Sequence, residues 1–264
     1  MDTSKRVELL ETRGPSMLID THCHIDQFPS PECVVRECER YAVRVVAVTN
    51  LPSHFALAVD RLRGDKFVSA ALGMHPLLAA EGIRELAAFK RMAPHSDFIG
   101  EIGLDFSRQG MSSKTIQERL FEEVLSTIRD RPRFITLHSR GAEGAVLECL
   151  RRHGIKAAVF HWFSGSIKVL EDVFAEGHFV SINPAMIASA SGQRVVEKSP
   201  KDRILVESDG PFTKVQNQVC SPPKVALVYQ YLASRWNVSN EAAAACIMAN
   251  FERIVGKGYP NSTA

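Results

Sequence analysis

The sequence predicts an α/β protein in which eight parallel strands, each followed by a helix, close into a TIM-type (β/α)8 barrel. Eight short apolar runs recur along the 264 residues, and helical patterns separate most of them. Alternating strands and helices imply a parallel sheet, and eight such units imply closure of that sheet into a barrel. The length fits a single barrel domain, because such barrels commonly have about 250 residues.

Each predicted strand is rich in residues that strands favour and is too short to form an independent helix. The strands span residues 17–22, 43–49, 67–73, 97–102, 133–138, 156–161, 178–183 and 203–208. Helical patterns between them include residues 31–41, 83–92, 115–129 and 144–153. Residues 222–236 and 240–255 are predicted to be closing helices, the last of them capped by Ser239 or Asn240.

One domain is expected over residues 17–258, with a flexible extension at 1–16 and a short tail at 259–264. Residues 1–16 are polar and charged, and Met17 directly precedes the first strand. No apolar run approaches the ~20 residues of a membrane helix, and no secretory signal is evident. Six cysteines without a CxxC pair favour buried, reduced thiols in a cytoplasmic protein. A net charge of only +2 indicates that any nucleic acid is bound locally.

Metal-type side chains stand at the C-terminal ends of five predicted strands, and a barrel brings these ends to one rim. His22 and His24 lie two residues apart in a strand, so they share a face and can bind one ion. Equivalent positions on the other strands extend the set of imidazole and carboxylate ligands. The predicted ligands are His22, His24, Glu101, His138, His161 and Asp209.

Six such ligands suit two divalent ions about 4 Å apart, an arrangement used to hydrolyse phosphate esters. One ion is expected to bind His22, His24 and Asp209, and the other is expected to bind His138 and His161. Glu101 is expected to bridge the two ions. The identity of the metal, Mg, Mn or Zn, stays open at this point.

Three further side chains are predicted to bind the substrate near this rim. Arg140 follows the fifth strand and is suited to bind a phosphate through its guanidinium group. Ser164 and Ser166 open the helix after the sixth strand, where free backbone amides favour an anion.

Some side chains at the rim have two open roles. Glu207 shares a face with Asp209, one pleat deeper, and is either a metal ligand or the partner of one. His75 ends the third strand and either contacts a phosphate or stabilises a turn. Trp162 and Phe163 either stack on a base or line the barrel wall, and we favour the wall.

These positions resemble the TatD family of metal-dependent DNases, which belongs to the amidohydrolase-like barrels. The matching motifs, in family order over about residues 17–255, are Asp20-Thr-His22-Cys-His24-Ile-Asp26, Gly73-Met-His-Pro76, Gly100-Glu101-Ile-Gly-Leu-Asp105, Gln117 with Phe121, His138-Ser-Arg140, His161-Trp-Phe-Ser-Gly165-Ser166 and Glu207-Ser-Asp209-Gly-Pro211. The resemblance implies two-ion hydrolysis of DNA, with the family's six ligands on the six residues named above.

Three features depart from the common family pattern. Trp162 stands where cysteine is usual, Asp209-Gly-Pro replaces Asp-Ala-Pro, and the loop from Lys214 to Pro223 lacks the usual Arg-Asn-Glu-Pro run. Together with the segment 183–192, they are most similar to the TatD-type nucleases (QatD) of the Qat anti-phage cassette. That resemblance implies an ATPase and a deazaguanine-synthase-like protein as partners. No membrane partner is expected, because no apolar run is long enough to span a membrane.

The sequence thus predicts a metal-dependent hydrolase that cleaves phosphodiester bonds in DNA, single- or double-stranded. Asp209 would orient or deprotonate the attacking water, while Glu101 would bridge the ions and Arg140 would stabilise the developing charge. One alternative is an amidohydrolase or deacylase acting on a modified nucleobase or a nucleic-acid conjugate. Its barrels often bridge two ions with a carboxylated lysine on strand four, but no lysine lies between Asp97 and Ser107. Another alternative is a non-catalytic nucleic-acid-binding partner.

Overall fold

The computed structural model describes residues 17–131 and 133–256, and it confirms the predicted barrel. Eight strands pair in parallel in chain order from the first to the last. They are β1 Leu18–Cys23, β2 Val43–Val48, β3 Val68–Met74, β4 Phe98–Gly103, β5 Phe134–His138, β6 Val159–Phe160, β7 Phe179–Ile182 and β8 Ile204–Val206. The last strand returns to the first, because the Thr21 hydroxyl donates to the Val206 carbonyl at 3.0 Å.

Helices surround the strands, as expected for strands whose two faces are both buried. The α-helices of the described residues are α1 Pro31–Arg40, α2 Pro52–Arg61, α3 Ala79–Met92, α4 Lys114–Ile128, α5 Glu143–Arg152, α6 Ile167–Ala175, α7 Pro184–Ile187, α8 Ala190–Lys198, α9 Ala226–Trp236 and α10 Asn240–Val255. The last helix has its predicted bounds, and Ser239 caps it by accepting the Ala242 amide at 3.2 Å. The helix predicted from residue 222 begins instead with a 3-10 turn, Pro222–Val225.

Strands β6 and β8 are much shorter than predicted, because the backbone leaves the extended region near their ends. Strand β6, predicted over 156–161, is flanked by Ala157 and Trp162, whose φ angles are 57° and 39°. Strand β8, predicted over 203–208, ends at Val206, and the chain turns at Asp209 with φ 47°. Left-handed residues cannot continue a parallel ladder, so the rim residues His161 and Asp209 lie on loops just beyond the strands.

A short hairpin follows β8 where the sequence predicts only a loop. Its strands are β9 Lys214–Val215 and β10 Gln218–Val219, which pair antiparallel. The turn residues Gln216 and Asn217 have φ angles of 50° and 64°. Positive φ at both central residues is the mark of a type I′ turn, whose twist matches that of the flanking strands.

The predicted extension at 1–16 and tail at 259–264 lie outside the described residues. Within the described part, no helix is long and apolar enough to cross a membrane. All six cysteines are free, as predicted, but the prediction that they are buried is wrong for Cys33, which is exposed, and for Cys246, which is partly exposed. Cys33 lies on the solvent-facing side of α1, where its sulfur accepts a hydrogen bond from Arg36.

Candidate metal centre

The C-terminal rim of the barrel brings the six predicted ligands together. Strand β1 and the residue after it supply His22 and His24, strands β4 and β5 supply Glu101 and His138, and the loops after β6 and β8 supply His161 and Asp209. Five of the six side chains are buried, and only the ring of His138 is partly exposed. The rim is therefore a shielded cluster of imidazoles and carboxylates.

The carboxylate of Glu101 lies at the centre of this cluster. Its Oε1 faces one group of imidazole nitrogens and its Oε2 faces another. The contacts are Oε1 with His138 Nδ1 at 2.7 Å and His161 Nε2 at 2.9 Å, and Oε2 with His24 Nε2 at 3.1 Å, His75 Nε2 at 3.4 Å and His22 Nε2 at 3.6 Å. Each carboxylate oxygen therefore points toward a separate set of nitrogen donors.

Glycines on both sides of Glu101 allow β4 to approach its neighbour closely. A Cβ on Gly103 would lie 2.0 Å from the carbonyl oxygen of His138, and a Cβ on Gly100 would lie 2.2 Å from Cγ2 of Thr136. Both glycines also have positive φ angles, 143° and 154°. No other residue fits these positions without displacing β5, so the glycines keep Glu101 in contact with His138.

The ring of His22 is oriented so that its Nε2 faces the cluster. Its Nδ1 lies 2.8 Å from the hydroxyl of Thr136, which leaves Nε2 toward His24 Nε2 at 3.3 Å. Burial lowers the pKa of His22 to about 4, so the ring is neutral. Asp209 Oδ1 lies 3.9 Å and 3.8 Å from the same two nitrogens. Converging lone pairs of this kind fit a cation.

Three sets of donor atoms among the described residues are compact enough to hold an ion. They are His22, His24 and Asp209; His22, Glu101 and His161; and His75, Glu101 and His138. The first set contains the three ligands predicted for one ion. The rings of His138 and His161 lie 5.7 Å apart and fall in different sets, so their binding to one ion stays a prediction.

His75 is a member of the cluster that was not among the predicted ligands. Its Nδ1 accepts the Leu77 amide at 3.2 Å, and its Nε2 therefore points toward Glu101. Burial lowers the pKa of His75 to about 3. The sequence contained a usable signal, because His75 follows β3 at the same rim as the other histidines.

Asp105 is a second site residue to which the sequence did not assign a role. Its Oδ2 lies 2.8 Å from His138 Nε2, and its Oδ1 accepts the Ser107 amide at 2.8 Å. Although burial acts to raise the pKa of Asp105, the hydrogen bonds from His138 and Ser107 lower it to about 2. An ionised Asp105 accepts the Nε2 proton of His138 and directs Nδ1 toward the cluster, as carboxylates behind metal-binding histidines do.

Glu207 holds the loop after β6 rather than joining a donor set. It is fully buried, and its Oε1 accepts the Trp162 amide at 3.0 Å and the Asn183 side-chain amide at 3.0 Å. Its Oε2 accepts the hydroxyl of Ser181. The Nδ1 of His161 lies 3.6 Å from Oε1. These contacts support the role of a partner that orients His161.

A cavity of about 640 Å³ opens onto the cluster. Arg140 is exposed at its rim and has no ion pair among the described residues, and Ser164 also lines it while donating to Glu143 at 2.8 Å. Ser166 lies outside this lining and caps α6 by accepting the Val169 amide. The binding of substrate by these residues stays a prediction.

The loop after β6 places its two aromatic residues in different surroundings. Phe163 is packed in the core, as the barrel-wall interpretation predicts. The same interpretation is wrong for Trp162, because 37% of its surface is exposed and its side chain lines the cavity. The left-handed backbone at Trp162 turns this side chain away from the core.

Comparisons with known proteins agree with this fold and identify the family. A model of the TatD related DNase family matches residues 19–256. The metal-dependent hydrolase YabD of Bacillus subtilis is 28% identical, over 90% of this chain and 98% of its own. The 3'-5' ssDNA/RNA exonuclease TatD of Erwinia tasmaniensis is 33% identical, over 71% of this chain and 75% of its own. Human deoxyribonuclease TATDN3 is 28% identical, over 85% of this chain and 89% of its own.

A solved structure gives independent support for the fold. The crystal structure of YjjV, a TatD homologue from Escherichia coli K12, aligns with a TM-score of 0.81 at 24% identity. The alignment covers 90% of this chain and 98% of that one. Because the family model spans nearly the whole described barrel, the chain belongs to the TatD related DNase family of metal-dependent hydrolases.

Proposed function

We propose that this protein hydrolyses phosphodiester bonds in DNA at a centre that holds two divalent ions, Mg, Mn or Zn. The position of Glu101 carries the proposal, because each of its carboxylate oxygens faces its own set of imidazole nitrogens. A buried carboxylate in this position is suited to bridge two cations. The names of the human and Erwinia relatives, a deoxyribonuclease and an ssDNA/RNA exonuclease, support DNA as the substrate.

The proposed ligands are divided between two ion positions. His22, His24 and Asp209 are proposed to hold one ion, His138 and His161 are proposed to hold the other, and Glu101 is proposed to bind both. When bound, such ions polarise phosphoryl oxygens and lower the pKa of bound water from about 15.7 to about 7. The neutral ring of His22 and the close approach of its Nε2 to His24 suit this role.

Asp209 is the proposed proton acceptor of the reaction. Its backbone amide donates to the His22 carbonyl at 2.9 Å, which fixes the side chain at the cavity wall. Burial raises the pKa of Asp209 to about 7. A bound cation would lower this pKa again and keep Asp209 ionised, so that its carboxylate could orient the attacking water and accept its proton.

Arg140 and His75 are the proposed contacts of the scissile phosphate. The Arg140 side chain lines the cavity with its donors facing solvent, and a guanidinium forms paired hydrogen bonds with phosphate oxygens. His75 lines the same cavity beside Glu101. The whole chain has a net charge of only +2, which fits DNA binding through a few local contacts better than DNA binding along an extended basic surface.

The test is hydrolysis of end-labelled single- and double-stranded oligonucleotides by the purified protein supplied with Mg, Mn or Zn. We expect cleavage that excess chelator abolishes and that Asp209→Asn reduces strongly. Asp202→Asn is the matched control, because Asp202 pairs with Arg253 at the protein surface. Full cleavage in excess chelator would exclude the proposal. Oligonucleotide binding without cleavage under every metal would instead favour a non-catalytic partner.

We also propose that the protein acts in the cytoplasm within a Qat-type anti-phage cassette, beside an ATPase and a deazaguanine-synthase-like protein. The support is the resemblance carried by Trp162, by Asp209-Gly-Pro211 and by the segments 183–192 and 214–223. The second of these segments contains the β9–β10 hairpin. The test is phage plating on cells that carry the whole cassette, together with affinity purification of this protein. Protection that survives Glu101→Gln, or a failure to recover either partner, would contradict the proposal.

A further inference from the structure

We infer that Trp162 is a stacking surface for the nucleobase of the nucleotide bound at the metal centre. This inference rests on the proposed function, because it specifies how that site recognises its substrate. Among the described residues, Trp162 and Phe212 are the large hydrophobic side chains that are both well exposed and part of the cavity lining. An exposed indole inside a catalytic cavity lacks the packing partner that its size demands.

The backbone at Trp162 holds the indole in this exposed position. Its φ of 39° is rare for a bulky residue and carries a conformational cost. The buried carboxylate of Glu207 maintains it by accepting the Trp162 amide at 3.0 Å. The next residue, Phe163, is 2% exposed and fills the core. The loop after β6 thus buries the ring of Phe163 in the core and exposes the indole of Trp162 to the cavity.

The position of Trp162 relative to the cluster sets what it can contact. Trp162 directly follows His161, so their Cα atoms lie about 3.8 Å apart. The Nε2 of His161 in turn lies 2.9 Å from Glu101. A ligand that reaches both the ion-binding cluster and the indole must carry an anionic group and a flat π-system next to each other. A nucleotide has this chemistry, with its phosphate at the cluster and its base on the indole.

Stacking of this kind accepts any base, because every base has a π-face. In an intact duplex the base faces are covered by neighbouring base pairs, so the indole can bind only an unpaired or terminal base. Phe212 offers a second exposed ring on the loop after β8, and it contacts the ring of His24 edge-on at 5.0 Å. The inferred ligand is therefore a nucleotide with an exposed base.

The experiment compares 2′-deoxyadenosine 5′-monophosphate with 2-deoxyribose 5-phosphate, which lacks the base, as ligands of the Mg-loaded protein. The chain has two tryptophans, so a Trp236→Phe background makes the fluorescence report on Trp162 alone. Trp236 lies at the end of α9 beside Lys201, away from the cavity lining. We expect quenching by the nucleotide and an affinity about 5–150-fold above that of the sugar phosphate, which is the fold-change that a base–aromatic stacking energy of about 1–3 kcal/mol corresponds to.

Two substitutions, each made in the otherwise wild-type chain and measured by calorimetry, separate stacking from a structural role. Trp162→Asn removes the ring while tolerating positive φ, and Trp162→Phe keeps an aromatic face. We expect the preference for the base to disappear in the first and to persist in part in the second. Equal affinity of the wild-type protein for both ligands, no quenching by the nucleotide, or an undiminished preference in Trp162→Asn would overturn the inference. Because binding needs no hydrolysis, a base preference without any DNA cleavage would refute the nuclease and leave the stacking surface standing.

Discussion

Replacement of Glu101 by glutamine keeps the shape of the side chain and removes its charge. In the folded protein, that charge faces five imidazole rings, whose nearest nitrogens lie 2.7–3.6 Å from the carboxylate oxygens. Although burial acts to raise the pKa of Glu101, the neighbouring histidines, with His75 foremost, lower it well below its usual range. The group is thus ionised near neutral pH, and the neutral amide cannot balance two cations.

The size of the effect follows from the position of Glu101 between two sets of donors. Loss of a residue that only supports a metal ligand typically lowers metal affinity or activity by about 10–100-fold, and loss of a ligand should cost at least as much. Glu101 contacts both proposed ion positions, so the loss applies to each, and turnover is expected to fall by about 10²–10⁴-fold. Affinity for DNA should change by less than about fivefold, as for a group that acts mainly in the transition state.

Single-turnover cleavage of a labelled oligonucleotide gives the rate, fluorescence anisotropy gives the affinity, and mass spectrometry gives the metal content. Glu123→Gln is the matched control, since Glu123 is half exposed and pairs with Lys90 at the surface. Arg140→Ala should show the opposite balance, with weaker binding and a salt dependence flatter by about one phosphate contact. Near-normal cleavage by Glu101→Gln would mean that Glu101 does not bridge ions or that a contaminating nuclease is being measured.

Three further predictions concern stability. Gly103→Ala should lower the free energy of unfolding in urea by about 1–3 kcal/mol or more, because its Cβ would collide with β5. Gly144→Ala, whose Cβ would meet nothing within 4 Å, should raise it by about 0.4–1 kcal/mol. Burial lowers the pKa of His178 from 6.5 to about 4, so the unfolded chain takes up a proton at a higher pH than the folded protein. The contribution of His178 to the free energy of unfolding is therefore fully present above pH 6.5 and falls by about 3 kcal/mol toward pH 4. His178→Asn should remove this pH dependence. A chain beginning at Met17 should melt within about 4 °C of the full chain, and a larger loss would show that residues 1–16 stabilise the barrel.

The strands and the rim ligands could be predicted because both depend on patterns local in the sequence. An apolar run marks a strand, and its last residues must lie at the rim of a parallel barrel, wherever they fall in the chain. His22 and Glu101 are therefore predictable as neighbours in space although 79 positions separate them. The fold needed no information beyond the order and length of the apolar runs.

The finer arrangement depends on distances between strands, which a single sequence does not contain. His75 could be predicted to contact the substrate because it follows β3 at the rim. Its place in the ligand cluster is evident only from the 3.4 Å between its Nε2 and Glu101 Oε2. The exposure of Trp162 depends on a positive φ held by Glu207, which is 45 residues away along the chain. The β9–β10 hairpin was missed because its turn uses Gln-Asn instead of the more usual Asn-Gly.

The most direct test is anomalous diffraction from crystals of the protein grown with Mn or Zn and a short oligonucleotide. The proposed mechanism predicts two anomalous peaks about 4 Å apart, one between His22, His24 and Asp209 and the other near His138 and His161, with Glu101 contacting both. A scissile phosphate should lie against both peaks. A single ion, or ions bound away from Glu101, would contradict the two-ion mechanism.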